Sequence, residues 1–235
     1  MNLAGILLQV SEVAKNVGEA VTGEEPTEIT MPIWDLVKSG GWIIAILGVF
    51  SVIAVYIFIE RFLILNQASK ENKNFMSNIR EYILRGRLDE AKALCKNENS
   101  PISRMVDKGI SRIGKPLNDI NAAIENIGKL EVSRLEKNIA MLATISGAGP
   151  MLGFLGTVIG MIKAFYDMSM AGNNIDIVTL SSGIYQAMVT TVAGLIVGIL
   201  AYICYNILVA RVEKLVFLLE ARATEFMDLL HEPAA

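Results

Sequence analysis

The sequence feature that most restricts the fold is a run of 24 residues without a charged side chain, residues 139–162. A transmembrane helix needs about 20 apolar residues, so this run is long enough to cross a bilayer. Four glycines recur along it at intervals of three or four residues: Gly149, Gly153, Gly156 and Gly160. On a helix this spacing places them on one narrow face. Because membrane helices pack closely through faces of small residues, we expect this face to meet protein or a pore.

Two further stretches are long and apolar enough to cross a membrane. Residues 42–59 carry no charge and begin at Trp42, an aromatic residue of the type found at membrane interfaces. We interpret the following Glu60 and Arg61 as an interfacial stop, with a functional site as the alternative. Residues 177–210 form a charge-free stretch of 34 residues. The sequence therefore predicts an all-α integral membrane protein with three transmembrane helices, at 42–61, 139–162 and 179–210.

The polar parts of the chain are predicted to be helical as well. Residues 1–41 start with apolar residues at helical spacing and continue into an acidic linker. Their helix packs on the protein, lies in the membrane interface, or docks a partner. Residues 62–138 are predicted to be a helical segment, in which one long helix runs from Leu117 straight into the second span. Residues 163–178 are interpreted as a connection, and residues 211–235 as an amphipathic C-terminal helix.

The distribution of basic residues predicts the orientation. Residues 60–138 carry 15 of the 21 lysines and arginines. Basic segments stay on the cytoplasmic side of a membrane, so the N-terminus is predicted outside and the C-terminus inside. Segments 62–138 and 211–235 are then cytoplasmic, and segments 1–41 and 163–178 are periplasmic. The second and third spans extend into the cytoplasm as long helices.

Composition excludes several classes of function. The net charge of −3 gives no basic character that would favour nucleic acid as a partner. The single histidine, His231, excludes a site built on several histidines. Cys95 lies in a charged helical region and Cys204 in an apolar span, so we expect two free thiols. No nucleophile–base pair, metal-binding cluster or cofactor motif is present, which argues against an enzyme.

The third span mirrors the second, because Gly194 and Gly198 repeat the close-packing spacing. The second span also contains a proline, Pro150, near its middle. One interpretation is that these small faces pack only on each other, and that the threonines bond back to their own helices. The other is that the two faces line a pathway. Neither span holds an aspartate, glutamate, lysine, arginine or histidine, so a partner must bring the acid if protons move here. The polar candidates for such a pathway are Thr144, Ser146, Thr157, Gln186, Thr190 and Thr191.

Two motifs carry a resemblance to a known family: LATISGAGPMLGFLGTVIGM (142–161) and GIYQAMVTTVAGLIVGILAYICYN (183–206). The chain resembles the ExbB/TolQ proton-channel subunits, which are distantly related to the four-span MotA proteins. The resemblance implies a homo-oligomeric ring, usually a pentamer, in the bacterial inner membrane. The ring surrounds an ExbD/TolR-type single-span partner that supplies an aspartate. The pore threonines of the family fall on Thr157 and Thr191.

One position departs from the family pattern, because Gln186 stands where the best-known members have a glutamate. We interpret Gln186 as a polar stand-in that cannot titrate. The resemblance implies that proton flow energises a TonB-type protein for outer-membrane transport, and the acidic N-terminal extension favours this ExbB type. The alternatives are a TolQ-type subunit for envelope maintenance and a non-conducting membrane scaffold. Sodium is the alternative coupling ion.

Overall fold

The computed structural model describes residues 41–70, 72, 74–170 and 177–231. The predictions made for residues 1–40, for the turn at 171–176 and for residues 232–235 lie outside the described residues. Within those residues all regular secondary structure is helical, which confirms the all-α prediction there. The helices are α1 (Gly41–Ala68), α2 (Phe75–Leu84), α3 (Leu88–Glu98), α4 (Pro101–Ile110), α5 (Leu117–Glu136), α6 (Ile139–Met170) and α7 (Ile177–His231).

Among the described residues, three helical stretches have the length and composition to cross a membrane, as predicted: Gly41–Ala68, Leu117–Met170 and Leu180–His231. The last belongs to α7, a single helix of 55 residues. At about 1.5 Å per residue α7 is about 80 Å long, whereas the hydrocarbon core of a bilayer is about 30 Å thick. Charged residues begin at Arg211, so the part of α7 after this residue extends out of the apolar layer.

The spanning parts of α1, α6 and α7 share one apolar core. Its buried members include Ile57 on α1, Leu142 and Ile145 on α6, and Ala201 and Leu208 on α7. These side chains recur every three or four residues along their helices, so each helix turns one stripe inward. The remaining faces of the three helices expose large apolar side chains, as expected for surfaces that meet lipid or another protein.

A second apolar core lies where α2 to α5 pack on the last third of α7. Phe226 of α7 and Ile79 of α2 are fully buried there, together with Ile110 and Ile124. A Cβ atom built on Gly109 of α4 would lie 2.5 Å from the Phe226 ring. The absence of a side chain at Gly109 therefore lets α4 approach α7. This helical domain fixes the distal end of α7.

The prediction of one uninterrupted helix from Leu117 into the second span is wrong. Helix α5 ends at Glu136 and α6 begins at Ile139. Between them Asn138 has a φ of 64°, a left-handed conformation that asparagine tolerates better than most residues. The apolar pattern continues across this break, which explains why the sequence did not reveal it.

Glu60 and Arg61, interpreted as the interfacial stop of the first span, do not end its helix. Helix α1 continues past Glu60 and Arg61 to Ala68. The Arg61 side chain is 6% exposed; it donates to the carbonyl of Arg134 at 3.3 Å and to the Glu60 carboxylate at 3.1 Å. Because an arginine is buried only when its charge is compensated, these contacts make Arg61 a structural link between α1 and α5.

Candidate functional site: the paired spans α6 and α7

Helices α6 and α7 meet along a seam of small residues. We call it the glycine seam, and its contacts run in opposite directions along the two helices, so the helices are antiparallel. Gly149 on α6 lies against Gly194 and Gly198 on α7, whereas Gly160 lies against Gly183. The seam comprises Gly149, Gly153, Gly156 and Gly160 on α6 and Gly183, Ala187, Thr190, Gly194 and Gly198 on α7.

The backbones touch along the glycine seam. A Cβ atom built on Gly194 would lie 2.7 Å from the Cα of Gly153, and one on Gly198 would lie 2.6 Å from the Cγ of Pro150. Real Cβ contacts are never this short, so neither position accepts a side chain without moving a helix. The seam therefore replaces side-chain packing with backbone contact, as close-packed membrane helices do.

The orientation of the seam bears on the two interpretations of the small faces. The four α6 glycines of the seam are all buried, and α7 of the same chain covers them. The glycine face is therefore a packing surface within one subunit, and it is not an open wall. Pro150 lacks an N–H group, which leaves the carbonyl of Ser146 without its helical donor. This carbonyl lies 3.0 Å from the Cβ position of Gly198, so only glycine fits opposite it.

Thr157 and Thr191 lie at the edge of the seam and are half-buried. The Thr191 hydroxyl crosses to α6 and donates to the carbonyl of Gly153 at 3.1 Å. The Thr157 hydroxyl donates to the carbonyl of Phe154 at 2.5 Å. Each hydroxyl has one donor and two acceptor lone pairs. Because the donors are used by carbonyls, what the two side chains offer to a neighbouring molecule is their lone pairs.

The two threonines share one side of the helix pair. At about 100° per residue, Thr157 lies about 40° from the direction of Gly153, and Thr191 about 60° from that of Gly194. In an antiparallel pair both offsets fall on the same side. Thr191 bonds Gly153, so the two hydroxyls are about one helical turn apart along the axis. This side of the pair is lined by exposed apolar residues such as Phe154.

Helix α1 occupies the opposite side. Gln186 lies about 80° from the direction of Gly194 in the other sense. A Cβ atom built on Gly41, the first residue of α1, would be 3.2 Å from the Gln186 amide nitrogen. Gln186 therefore packs beside the start of α1, away from Thr157 and Thr191. Its position does not match the shared pathway predicted for it.

The other polar candidates are also separated from this pair. Thr190 is 1% exposed; its hydroxyl donates to the carbonyl of Ala187 at 2.8 Å, and its side chain fills the space over Gly156. Thr144 is exposed and donates to its own helix at Ala140. Ser146 likewise donates to Ala143. Of the predicted polar candidates, the structure thus brings together only Thr157 and Thr191.

The sequence patterns did not reveal a buried charge cluster at the end of α5, which we call the Glu131 clamp. The Glu131 carboxylate is 3% exposed and accepts from Arg104 of α4 at 2.5 Å and from Arg134 at 2.7 Å. Arg61 of α1 donates to the Arg134 carbonyl. The only sequence signal was the i, i+3 spacing of Glu131 and Arg134, which is typical of many solvated helices.

The described residues include two cysteines, Cys95 and Cys204. Burial raises the pKa of the Cys95 thiol to about 12, so the thiolate needed for reactivity is absent at neutral pH. Cys95 and Cys204 are both free thiols, as predicted. Within the described part of the chain, no three histidine, cysteine or acidic side chains come together as metal ligands.

Comparison with known proteins gives consistent matches. Residues 97–221 match the family described as the MotA/TolQ/ExbB proton channel family. A protein of Methanothermobacter thermautotrophicus, described as an ExbB homologue of biopolymer transport, is 26% identical over 185 residues, which are 77% of this chain and 64% of that protein. TolQ of Haemophilus influenzae is 28% identical over 217 residues, an alignment that covers 82% of this chain and 89% of that protein.

A shorter match is closer in sequence. The ExbB-like 2 protein of Helicobacter pylori is 39% identical over 105 residues, which are 45% of this chain and 63% of that protein. The chain thus spans somewhat less than two thirds of the Methanothermobacter and Helicobacter relatives and most of the Haemophilus one. The matched family region contains α4, α5, α6 and most of α7, and so includes the glycine seam, Thr157 and Thr191.

Proposed function

Because the chain belongs to the MotA/TolQ/ExbB proton channel family, we propose that it is the proton-channel subunit of an inner-membrane motor. With an ExbD-type partner it uses the proton motive force to energise TonB-dependent outer-membrane transport. It assembles as a homo-oligomeric ring, a pentamer in this proposal, with the N-terminus outside and the C-terminus in the cytoplasm. The side of the α6–α7 pair that carries Thr157 and Thr191 faces the axis of the ring.

One observation carries the proposal. Thr157 and Thr191 lie on one side of two closely packed spans, and both keep their lone pairs for an external donor. The charge-free stretches 42–59, 139–162 and 177–210 contain no titratable carboxylate, so the acid comes from the partner. A protonated carboxyl group donates to the threonines, whereas an ionised one finds no donor there. Each charge that crosses 100 mV yields about 2.3 kcal/mol for mechanical work.

The test is proton flux in vesicles that contain the chain and its single-span partner. We expect Thr157→Val and Thr191→Val to reduce gradient-driven proton uptake at least tenfold while the complex still assembles. Ser169→Ala is the matched control, because Ser169 also donates to its own helix on α6 but lies beyond the charge-free run. Full flux in both threonine variants would refute the pore assignment.

Two other functions are favoured by specific observations. The TolQ relative matches over most of its length, which supports a Tol-type role in envelope maintenance. The burial of the glycine seam within one chain supports a non-conducting scaffold. A scaffold predicts that the threonine variants are harmless and that Gly156→Leu alone destroys assembly. Rescue of a strain that lacks either its TonB-type or its Tol-type channel subunit separates the two transport roles.

A further inference from the structure

A long groove runs between α5 and the last part of α7, outside the charge-free stretches of the chain. We call it the α5/α7 groove. Its larger part encloses about 530 Å³, and a second depression of about 360 Å³ continues it to His231. The two parts share Asn121, Ala223 and Thr224. From Val216 to His231 the groove follows about four turns of α7, or roughly 23 Å.

The floor of the α5/α7 groove is apolar. Ile124 and Leu219 lie buried at its bottom, and Val132 and Val216 form its half-buried walls. Gly128 lies in the middle of the α5 wall, where a Cβ atom would be 3.3 Å from the Met105 side chain. An apolar floor about four turns long fits one amphipathic helix laid along it.

The rim of the groove is acidic. It carries Glu125, Glu136 and Glu220 against a single lysine, Lys129. Lys129 and Glu125 pair with each other at 2.7 Å, which lowers the pKa of Glu125. Glu136 and Glu220 are exposed and take part in no ion pair among the described residues. The complementary occupant is therefore a segment that carries lysine or arginine beside its apolar face.

The groove opens on the side of α7 that carries Thr191. At about 100° per residue, Val216 and Glu220 each lie about 20° from Thr191 around the continuous helix. Val216 follows Ala210, the last residue of the charge-free stretch, by about 9 Å along the axis. A transmembrane helix that lies against Thr191 would therefore leave the membrane beside the Val216 end of the groove.

We propose that the α5/α7 groove binds a basic, amphipathic segment that flanks the transmembrane helix of the single-span partner. The inference rests on the proposed function, because that function places the partner's helix against Thr157 and Thr191. Residues 1–40 of the chain do not fit this charge pattern, since they carry six acidic residues and two lysines. A second copy of the chain is the competing occupant that the experiment must distinguish.

The probe is a fluorescent 18-residue amphipathic peptide with lysines on one face and leucines on the other. It is titrated into the full chain in phosphatidylcholine nanodiscs, with an acidic peptide of the same apolar face as the control. We expect the basic peptide to bind at least tenfold more tightly than the acidic one and to weaken as salt rises. Equal binding of the two peptides, or equal binding to empty nanodiscs, would overturn the proposal.

Two pairs of variants locate the binding. Ala223→Trp fills the groove, whereas Ala221→Trp adds the same side chain on α7 outside it. Glu136→Lys with Glu220→Lys reverses the rim, whereas Asp89→Lys reverses an exposed charge on α3. The groove variants should weaken binding at least tenfold and the controls less than twofold. Similar losses in groove variants and controls would refute the location; circular dichroism confirms that each variant is folded.

The last measurements distinguish a second copy of the chain from the partner segment as the occupant of the groove. They also distinguish failure of the groove assignment from failure of the proposed channel function. Light scattering follows the oligomer during the titration, and dissociation of the oligomer by the peptide would show that a second copy occupies the groove. Thr157→Val and Thr191→Val should bind the peptide as the unmodified chain does. If the unmodified chain conducts protons but does not bind the basic peptide, the groove assignment is refuted and the proposed function stands. If the chain binds the peptide but the threonine variants keep full flux, the pore assignment is refuted and the groove assignment stands.

Discussion

The Glu131 clamp allows a quantitative prediction, because a control pair on the same helix differs mainly in burial. Replacing Glu131 by glutamine removes a carboxylate that is 3% exposed and accepts two charged donors. Hydrogen bonds to charged groups contribute about 1.5–3 kcal/mol each. The two arginines, at 38% and 68% exposed, regain part of this from water. We therefore expect Glu131→Gln to cost about 2–4 kcal/mol, near the lower end of the range for a broken buried ion pair.

The assay is thermal unfolding of the detergent-solubilised full chain, followed by far-UV circular dichroism. For a chain of this size about 1 kcal/mol shifts the midpoint by about 2–4 °C, so Glu131→Gln should lower it by about 5–15 °C. Arg104→Met should lower it more than Arg134→Met, because the Arg104 side chain is less exposed and ties α4 to α5. The double variant Glu131→Met with Arg104→Met should recover part of the loss, since no unpaired buried charge remains.

The control is Glu125→Gln. Glu125 pairs with Lys129 at 2.7 Å on the same helix, but its side chain is 58% exposed. An exposed pair contributes little even at this distance, so the midpoint should stay within error of the unmodified chain. Equal shifts for Glu125→Gln and Glu131→Gln, or no shift in either, would contradict the claim that burial makes the Glu131 clamp strong.

Two further predictions concern the glycine seam and the buried thiol. Gly194→Val should abolish folding or assembly, because the added atoms meet the backbone of Gly153; Gly48→Val, where the structure leaves space, is the control, and a folded, functional Gly194→Val would contradict the contact. The pKa of Cys95 is raised from 9.0 to about 12 in the fold. The protonated thiol therefore contributes fully to the free energy of unfolding below about pH 9, and this contribution is lost as the pH rises toward 12. The midpoint of the unmodified chain should therefore fall more steeply over that window than that of Cys95→Ala, and parallel curves would count against burial of the thiol.

The spans could be predicted from sequence because the absence of charge over 18 or more residues is a local property. The faces of small residues on α6 and α7 could be predicted for the same reason, since the spacing of the glycines alone places them on one side of a helix. Whether those faces meet each other or a pore depends on how α6 and α7 pack, and no local pattern encodes it. The same is true of Gln186, whose neighbour Gly41 is distant in sequence.

The features missed by sequence reasoning are those in which one residue departs from a continuing pattern. Asn138 interrupts the path from α5 to α6 while the apolar repeat continues through it. Glu131 resembles a solvated charge because it has polar neighbours in sequence, and Arg61 follows Glu60 at the end of an apolar run. The burial of both side chains comes from helices far along the chain. Patterns of hydropathy report the average face of a helix and not the exceptional position on it.

The continuity of α7 has a mechanical consequence. From Gly194 to His231 the helix extends about 55 Å without a break. If α7 tilts by about 5° about Gly194, where its backbone touches that of α6, the far end moves by about 5 Å, close to one helical turn. The helix then acts as a lever whose longer arm runs through the rest of the charge-free stretch to Ala210 and continues beyond it to His231. Sub-ångström adjustments beside Thr191 would reach the helical domain as displacements large enough to change its contacts.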